Sequence, residues 1–180
     1  MSLVALSLPV IEASSRLNLG SLNGRTPHQS CTETSTPTTF AVQSLVYLRF
    51  EAGPYPMESQ PNTTQLAFEV ANRANGVLTT CSFQNVMYQG QWVDDSNYWH
   101  TCGDRTFAVD GVDHPVRTDA LFVWDAWRLS VNQSWACDEV TTVSHISTMT
   151  FKPNCTETRS EYQYVNECTA PDVEATASLQ

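Results

Sequence analysis

The chain has 180 residues, with 19 acidic side chains against 9 basic ones and a formal net charge of −10. This length suits one domain that buries roughly two thirds of its unfolded surface. The acidic balance and the lack of a lysine/arginine cluster argue against nucleic acid and anionic membranes as partners, because both are bound through basic side chains.

The first 39 residues are predicted to lie outside the folded domain. An apolar run from Leu3 to Ile11, followed by Ala13, resembles a weak secretory signal over residues 1–13, although no positive charge precedes it. Residues 14–39 are rich in Ser, Thr, Asn, Gly and Pro, which indicates a flexible leader. No other stretch approaches the roughly 20 apolar residues that a membrane span requires.

The first strand is predicted at residues 40–50, FAVQSLVYLRF, which are β-branched and aromatic. Regular alternation would place four apolar side chains of this strand on one face: Val42, Val46, Leu48 and Phe50. The following stretch, GPYPMESQPNTT at 53–64, contains three prolines and predicts a surface loop.

The stretch QLAFEVANRANGVLTTCSF at 65–83 gives the clearest local signal. Leu66, Phe68 and Val70 alternate with other residues, and a second apolar run begins after Asn75-Gly76. Asn-Gly can supply the two left-handed residues of a type I′ turn, so the sequence predicts a β-hairpin here.

Further strands are predicted toward the C-terminus. Residues 91–102 form a strand region interrupted by a polar turn at 94–97, and residues 105–115 a short strand followed by an Asp-Gly turn. Apolar and polar residues alternate again over 127–135, and a last long strand is predicted at 140–151.

The sequence therefore predicts an all-β fold. No amphipathic helical stretch exceeds about two turns, and eight or so short strands with regular turns are typical of an antiparallel barrel or sandwich. We expect a single β-barrel or sandwich stapled by disulfides over residues 40–168, followed by a disordered tail over residues 169–180.

Six cysteines are present, and none has the Cys-x-x-Cys spacing of zinc ribbons or thioredoxin-like sites. An even number at wide spacing, in a chain with one lysine, predicts three disulfides in a secreted protein. The half-cystines would be Cys31, Cys81, Cys102, Cys137, Cys155 and Cys168. Three sequons agree with secretion and predict N-glycosylation at Asn62, Asn132 and Asn154.

The octapeptide NYWHTCGD at 97–104 places His100 two residues before Cys102, so in a strand both side chains would share one face. One interpretation is a thiol nucleophile with a base beside it, and the other is a half-cystine. The oxidising context and the even cysteine count favour the half-cystine. We therefore predict no catalytic residue and a protein that is not an enzyme.

No metal or cofactor site is predicted. The four histidines lack ligand spacing. The acidic cluster around Gly111 does not match the register of a calcium loop, and a solvated turn explains it better; it comprises Asp110, Asp113, His114 and Asp119. No Gly-x-Ser-x-Gly or phosphate-binding glycine loop is present, and no pair of carboxylates is singled out for glycoside hydrolysis.

Five tryptophans are many for a chain of this size: Trp92, Trp99, Trp124, Trp127 and Trp135. Trp124 and Trp127 differ by an odd number of positions, so on one regular strand they would face opposite sides. One of them would then be exposed for stacking on a sugar or a phenolic ring, while core packing is the alternative for each tryptophan.

A combination of these motifs resembles the Alternaria major-allergen family of small secreted fungal proteins, which includes plant-colonisation effectors. The matching residues are Asn75, Gly76, Cys81, Trp99, Cys102, Gly103 and Asp104. An early cysteine and a late, closely spaced pair fit as well, so the resemblance spans about residues 31–168.

The resemblance implies a compact antiparallel β-barrel with Cys81–Cys102 and Cys155–Cys168 bridges. It also implies a secreted, non-enzymatic protein that binds a host plant protein or a small phenolic, and that can form a homodimer. Cys137 departs from the simplest family pattern; it would pair with Cys31, which in some members links two subunits instead. No binding residue carries over.

We expect function to lie in loops on a rigid scaffold, with residues 53–64 and 84–97 as contact regions. The alternative is an extracellular carbohydrate-binding module or glycan-processing enzyme. Two facing carboxylates about 5–10 Å apart would favour the enzyme. A flat row of exposed tryptophans would favour the sugar binder, and a closed barrel with neither would favour protein recognition.

Overall fold

The structure is a computed structural model that describes residues 38–52, 62–88, 91–93, 98–109, 111–136 and 141–180. Its strands are β1 (Thr38–Ala52), β2 (Thr63–Asn72), β3 (Leu78–Tyr88), β4 (Gln91–Trp92), β5 (His100–Thr101), β6 (Arg105–Val109), β7 (Val112–Val123), β8 (Arg128–Ala136), β9 (Thr142–Thr150), β10 (Asn154–Arg159), β11 (Gln163–Thr169) and β12 (Val173–Leu179). A single 3-10 turn, Trp124–Ala126, joins β7 to β8.

All strand pairs are antiparallel, and the main path through the sheet is β4-β3-β2-β1-β12-β9-β8-β7-β5. β1 is long enough to pair with β12 along its first half and with β11 along its second half. β10 extends the sheet beyond β11, and β6 pairs with β7. The prediction of an all-β antiparallel fold is confirmed.

The two ends of this path meet at a seam that closes the barrel. Cys81 on β3 is bonded to Cys102, which follows β5. Next to this bridge, the Gly103 N–H donates to the Thr80 carbonyl at 3.2 Å. The Cys102 N–H donates in turn to the Thr118 carbonyl of β7 at 2.8 Å, so the segment after β5 is tied to both sides of the seam. The fold is thus a nearly closed, disulfide-stapled barrel.

The barrel interior is filled by the inward-facing side chains of alternating strands. β2 and β8 show this alternation throughout, as the apolar patterns of the sequence predicted. The core includes Phe40, Val42, Leu45, Leu66, Phe68, Val70, Phe83, Phe122, Leu129, Val131 and Met149. Burial of this continuous apolar surface supplies the main driving force for folding.

A chain of buried hydrogen bonds crosses the interior at the end of the barrel where β1 begins. Asn72 Nδ2 donates to Gln133 Oε1 at 2.6 Å, and Gln133 Nε2 donates to Thr118 Oγ1 at 2.9 Å. Thr118 Oγ1 then donates to Thr79 Oγ1 on β3 at 3.3 Å. All four residues are buried, so the network joins β2, β8, β7 and β3 inside the barrel.

The hairpin between β2 and β3 is present, but its turn is not type I′. The connection comprises residues 73–77, and Gly76 alone among them is left-handed, with φ 71°. The Asn72 carbonyl accepts the Gly76 N–H at 2.8 Å, and the Asn72 N–H donates to the Val77 carbonyl at 2.9 Å. These bonds close a wider turn that needs only one residue at positive φ, which explains why the two-residue prediction was wrong.

The C-terminal tail was predicted to be disordered, and that prediction was wrong. β12 lies between β1 and β9, and pairs with both. Its inward-facing side chains include Ala175 and Ala177, which are too small to give a strong hydrophobic alternation. The strand predicted at 140–151 is present as β9, but three further strands follow it.

The short strand and turn predicted at 105–115 are present as the β6–β7 hairpin, with Gly111 at φ 79°. The signal predicted at 1–13, residues 14–37 of the leader predicted at 14–39, residues 53–61 of the 53–64 loop and the 94–97 turn lie outside the described residues. The last two residues of the predicted leader, Thr38 and Thr39, belong to β1, so the leader was predicted to end too late. Among the described residues, no helix has the length and apolar character needed to cross a membrane.

Candidate functional site

A cavity of about 490 Å³ lies at the end of the barrel where β1 ends, and we call it the mouth cavity. Three strands, the 3-10 turn and the β10–β11 hairpin surround it. Its lining residues are Tyr47, Arg49, Thr64, Asn85, Trp124, Asp125, Trp127, Cys155, Asn166 and Cys168. The mouth of a β-barrel is a common place for a small-molecule site.

A β-bulge in β1 brings Tyr47 and Arg49 to this cavity. The pairing of β1 with β2 shifts register between Gln43 and Val46, and Ser44 has a φ of 54°. An extra residue reverses the in/out alternation beyond it. Val46 is consequently 40% exposed, so the predicted common face of Val42, Val46, Leu48 and Phe50 was wrong.

The turn between β7 and β8 places two tryptophans at the same cavity. Trp127 follows the 3-10 turn in the left-handed conformation, with φ 48° and ψ 42°. Its carbonyl accepts the Phe151 N–H at 2.9 Å, which helps to hold it there. This conformation costs a side chain roughly 1–2 kcal/mol. Because Trp124 and Trp127 do not share a regular strand, the expectation that they face opposite sides was wrong.

The aromatic rings of the cavity form a packed cluster. Tyr47 lies 5.4 Å from Trp127 and 5.7 Å from Trp124, measured between ring centroids. Phe122 lies beneath both tryptophans, at 5.0 Å from Trp124 and 5.8 Å from Trp127. The rings meet at steep angles, an arrangement that aromatic pairs favour. The cavity thus has a rigid aromatic wall.

Three polar atoms in this cavity are buried and have no hydrogen-bond partner within the protein. They are Thr64 Oγ1, Asn85 Oδ1 and Trp124 Nε1. A buried polar atom without a partner costs about 1–3 kcal/mol. Trp124 Nε1–H can only donate and Asn85 Oδ1 can only accept, while the Thr64 hydroxyl can do either. The cavity therefore presents complementary donor and acceptor groups beside aromatic rings.

Charged groups lie at the rim of the cavity. Arg49 forms an ion pair with Glu51. Burial raises the pKa of the Tyr47 phenol, although the nearby Arg49 guanidinium acts in the opposite direction. Burial also raises the pKa of Tyr164, and its hydrogen bond with Glu157 adds to this effect. The Tyr47 phenol is therefore neutral near pH 7 and can donate or accept a hydrogen bond.

The His100–Cys102 motif does not form a catalytic pair. Cys102 is bonded to Cys81, so it offers no thiolate. The His100 ring stacks on Phe83, with 4.6 Å between ring centroids. The bridge between Cys155 and Cys168 is also present, while Cys31 and Cys137 lie outside the described residues.

The acidic cluster near Gly111 is dispersed over separate contacts. Asp119 accepts hydrogen bonds from Thr101 and Arg117, each at 2.8 Å. His114 Nδ1 lies 2.7 Å from the Ala136 carbonyl. Asp110 is not among the described residues, and the described ones contain no group of three or more acidic, histidine or cysteine side chains that could hold a metal.

The three sequons differ in their surroundings. Asn154 is exposed at the start of β10. The Asn62 side chain accepts the Ala52 N–H at 2.7 Å, and Asn132 accepts a hydrogen bond from the Ser144 hydroxyl at 2.9 Å. N-glycosylation stays a prediction at all three sites, and Asn154 presents the most accessible amide.

His145 lies in the core on β9, away from the mouth cavity. It is 1% exposed, its ring stacks on Trp135 at 5.4 Å, and neither ring nitrogen has a partner within the protein. Burial lowers the pKa of this imidazole. Below about pH 6.5 the unfolded chain binds a proton that the native state excludes, so stability falls as the pH decreases toward the native pKa.

Replacing His145 with leucine is expected to remove this pH dependence. The wild type should lose stability relative to the His145→Leu variant between about pH 7.5 and pH 5.5, by at most about 1.4 kcal/mol per pH unit. Urea unfolding of both proteins at the two pH values measures the difference. The same pH dependence in both proteins would show that His145 is not the group responsible.

No family model matches the sequence, and no curated protein matches it. Among solved structures, the chain is similar to two crystal structures of the Alternaria alternata major allergen Alt a 1. One is 17% identical, with a TM-score of 0.41, and covers 78% of this chain and 88% of that chain. The other is 16% identical, with a TM-score of 0.44, and covers 79% and 94%.

The sequence did not single out the residues that make the mouth cavity, apart from the two tryptophans and the cysteine pair. Thr64 and Asn85 lie within the predicted contact regions 53–64 and 84–97, but in strands rather than loops. The strand periodicity of the sequence does indicate that Thr64 and Asn85 face inward, because Thr64 precedes Leu66 by two residues and Asn85 follows Phe83 by two. Each is thus a polar residue at a position that points into the barrel.

Proposed function

We propose that the protein is a secreted, non-enzymatic binding protein that holds a small hydroxylated aromatic molecule in its mouth cavity. The observation that carries this proposal is the convergence of three unpartnered polar atoms, on Thr64, Asn85 and Trp124, beside a cluster of aromatic rings. A phenolic ligand would supply the missing partners and cover the rings at the same time.

The roles of the groups follow from their chemistry. Trp124 Nε1–H would donate to a ligand oxygen, and Asn85 Oδ1 would accept a ligand hydroxyl. Tyr47, Trp124 and Trp127 would contact the ligand ring. The volume of about 490 Å³ lies within the range of small-molecule sites and accommodates a ligand of two or three fused or linked rings.

The alternative of a sugar binder or glycan-processing enzyme fits this cavity less well. Asp125 is the one carboxylate among the described residues that line it, whereas glycoside hydrolysis generally uses two. Trp124 and Trp127 lie in a concave mouth at steep angles to Tyr47 rather than in a flat row. Recognition of a host protein through the regions 53–64 and 84–97 stays a prediction; residues 84–88 and 91–92 of the second region lie in β3 and β4.

The proposal is tested with 2-naphthol, a flat phenol, and two variants of the cavity. Trp124→Phe removes the indole donor but keeps an aromatic ring, and Asn85→Leu removes the acceptor. Each is expected to weaken 2-naphthol binding about fivefold, because one hydrogen bond contributes roughly 1 kcal/mol. Isothermal titration calorimetry measures the dissociation constants.

Two controls separate the hydrogen bonds from non-specific effects. Trp99→Phe changes a tryptophan that is 45% exposed and does not line the cavity, so it should leave 2-naphthol binding unchanged. 2-Methoxynaphthalene has no hydroxyl to donate, so Asn85→Leu should not weaken its binding. If Trp124→Phe and Trp99→Phe affect 2-naphthol equally, the mouth cavity is not the binding site.

A further inference from the structure

The disulfide between Cys155 and Cys168 forms part of the wall of the mouth cavity. The two residues lie directly opposite each other in the β10–β11 hairpin. β11 continues onto the barrel through its pairing with β1. The bridge therefore fastens the outermost strand of this wall to the strand that the barrel holds.

Little else holds β10 in place among the described residues. It pairs with β11 alone, and all six of its side chains are exposed. A two-stranded edge without a buried face is marginally stable in water. After loss of the bridge, β10 would retain the backbone hydrogen bonds of the hairpin and the exposed contacts of Glu157 and Arg159 with Tyr164. β11 would stay paired with β1.

The two described disulfides differ in their access to solvent. Cys155 is exposed, whereas Cys168 is fully buried. At the seam, by contrast, both Cys81 and Cys102 are buried. Thiol–disulfide exchange requires access of the attacking thiolate to one sulfur. A small thiol is therefore expected to reduce the Cys155–Cys168 disulfide before the Cys81–Cys102 disulfide.

We infer that the Cys155–Cys168 disulfide is a reduction-sensitive wall of the mouth cavity, which a low-molecular-weight thiol opens to release the bound ligand. This inference rests on the proposed function and adds a means of control to it. The oxidised protein retains the ligand behind a fixed wall. The reduced protein has a mobile β10 and loses the ligand faster.

The exchange follows ordinary thiol chemistry. A thiolate attacks the sulfur of Cys155, the exposed residue of the pair, the disulfide bond breaks, and the Cys168 sulfur leaves as a thiolate that takes up a proton. A second thiol then attacks the mixed disulfide and releases the Cys155 thiol. Two small thiols are oxidised to one disulfide as the protein bridge gains two electrons and two protons. The freed Cys168 thiol lies 3.5 Å from Asn166 Oδ1, which can accept its weak hydrogen bond.

The experiment compares 2-naphthol release from the full-length protein before and after treatment with glutathione. Stopped-flow fluorescence measures the dissociation rate, which is expected to rise about tenfold on reduction. Alkylation followed by mass mapping should label Cys155 and Cys168 while Cys81 and Cys102 stay unlabelled. Hydrogen exchange should accelerate at residues 154–159 and not in β8.

The Cys155→Ser/Cys168→Ser double variant is the matched control. It should release 2-naphthol at the rate of the reduced wild type and should not respond further to glutathione. This result would show that the effect of glutathione comes from reduction of the Cys155–Cys168 disulfide and not of another one. Failure of the oxidised wild type to bind 2-naphthol would overturn the proposed function, and the gating with it. Binding that is tight in the oxidised protein and unchanged on reduction would overturn the gating alone.

Discussion

Replacing Cys81 and Cys102 together with alanine is expected to lower the free energy of unfolding by about 3 kcal/mol. The bridge spans 21 residues of sequence and joins the two ends of the sheet path at the seam. Loss of the bridge raises the conformational entropy of the unfolded chain. In the native state, the seam would then be held by the Gly103–Thr80 and Cys102–Thr118 backbone hydrogen bonds. Urea unfolding of the wild type and the double variant measures the difference.

The Cys155→Ala/Cys168→Ala double variant is the control for this prediction. Its bridge spans 13 residues, so the chain-entropy model alone gives a loss of similar size. We nevertheless expect a loss of about 1 kcal/mol or less in the main transition, because the exposed β10 can detach locally while the barrel stays folded. Equal losses in the two variants would contradict the view that the seam closes the barrel.

Replacing Gln133 with methionine is expected to lower the free energy of unfolding by about 2–3 kcal/mol. Methionine has nearly the same length, so the packing changes little. The Asn72 amide and the Thr118 hydroxyl, however, each lose a buried hydrogen bond to Gln133. The network also links β3 and β7, which lie on opposite sides of the seam, through the Thr118–Thr79 hydrogen bond. Its loss therefore also weakens the closed form of the barrel. Urea unfolding at pH 7 measures the effect.

Gln65→Met is the matched control, because Gln65 is exposed on the outer face of β2. A surface substitution of this kind usually changes stability by no more than about 0.5 kcal/mol. A Gln133→Met variant as stable as Gln65→Met would mean that the buried network contributes little to the barrel.

The strands were largely predictable, because alternation is a local signal. Leu66, Phe68 and Val70 on β2, and Leu129 and Val131 on β8, point inward as their spacing indicated. β12 was missed because its inward positions carry alanines, and its place in the sheet depends on pairing with β1 and β9. Such pairing is a property of the whole fold and leaves little trace in a short stretch of sequence.

The site was less predictable than the fold. The bulge at Ser44 reverses the alternation of β1, and nothing in FAVQSLVYLRF marks where the extra residue falls. Tyr47 therefore could not be assigned to the interior. Trp124 and Trp127 were recognised as candidates for stacking, but their common orientation depends on a left-handed tryptophan after a 3-10 turn. The Cys81–Cys102 and Cys155–Cys168 pairs followed from the family resemblance.

Binding of a phenol at the mouth cavity can be followed by NMR through the indole N–H signals of the protein. Five tryptophans give five such signals, and the signal that is missing from the Trp124→Phe variant is that of Trp124. Titration of ¹⁵N-labelled protein with 2-naphthol is expected to shift the Trp124 signal strongly and saturably, while the exposed Trp99 signal stays in place. A titration in which the Trp124 signal does not move, or moves no more than that of Trp99, would contradict binding at the mouth cavity.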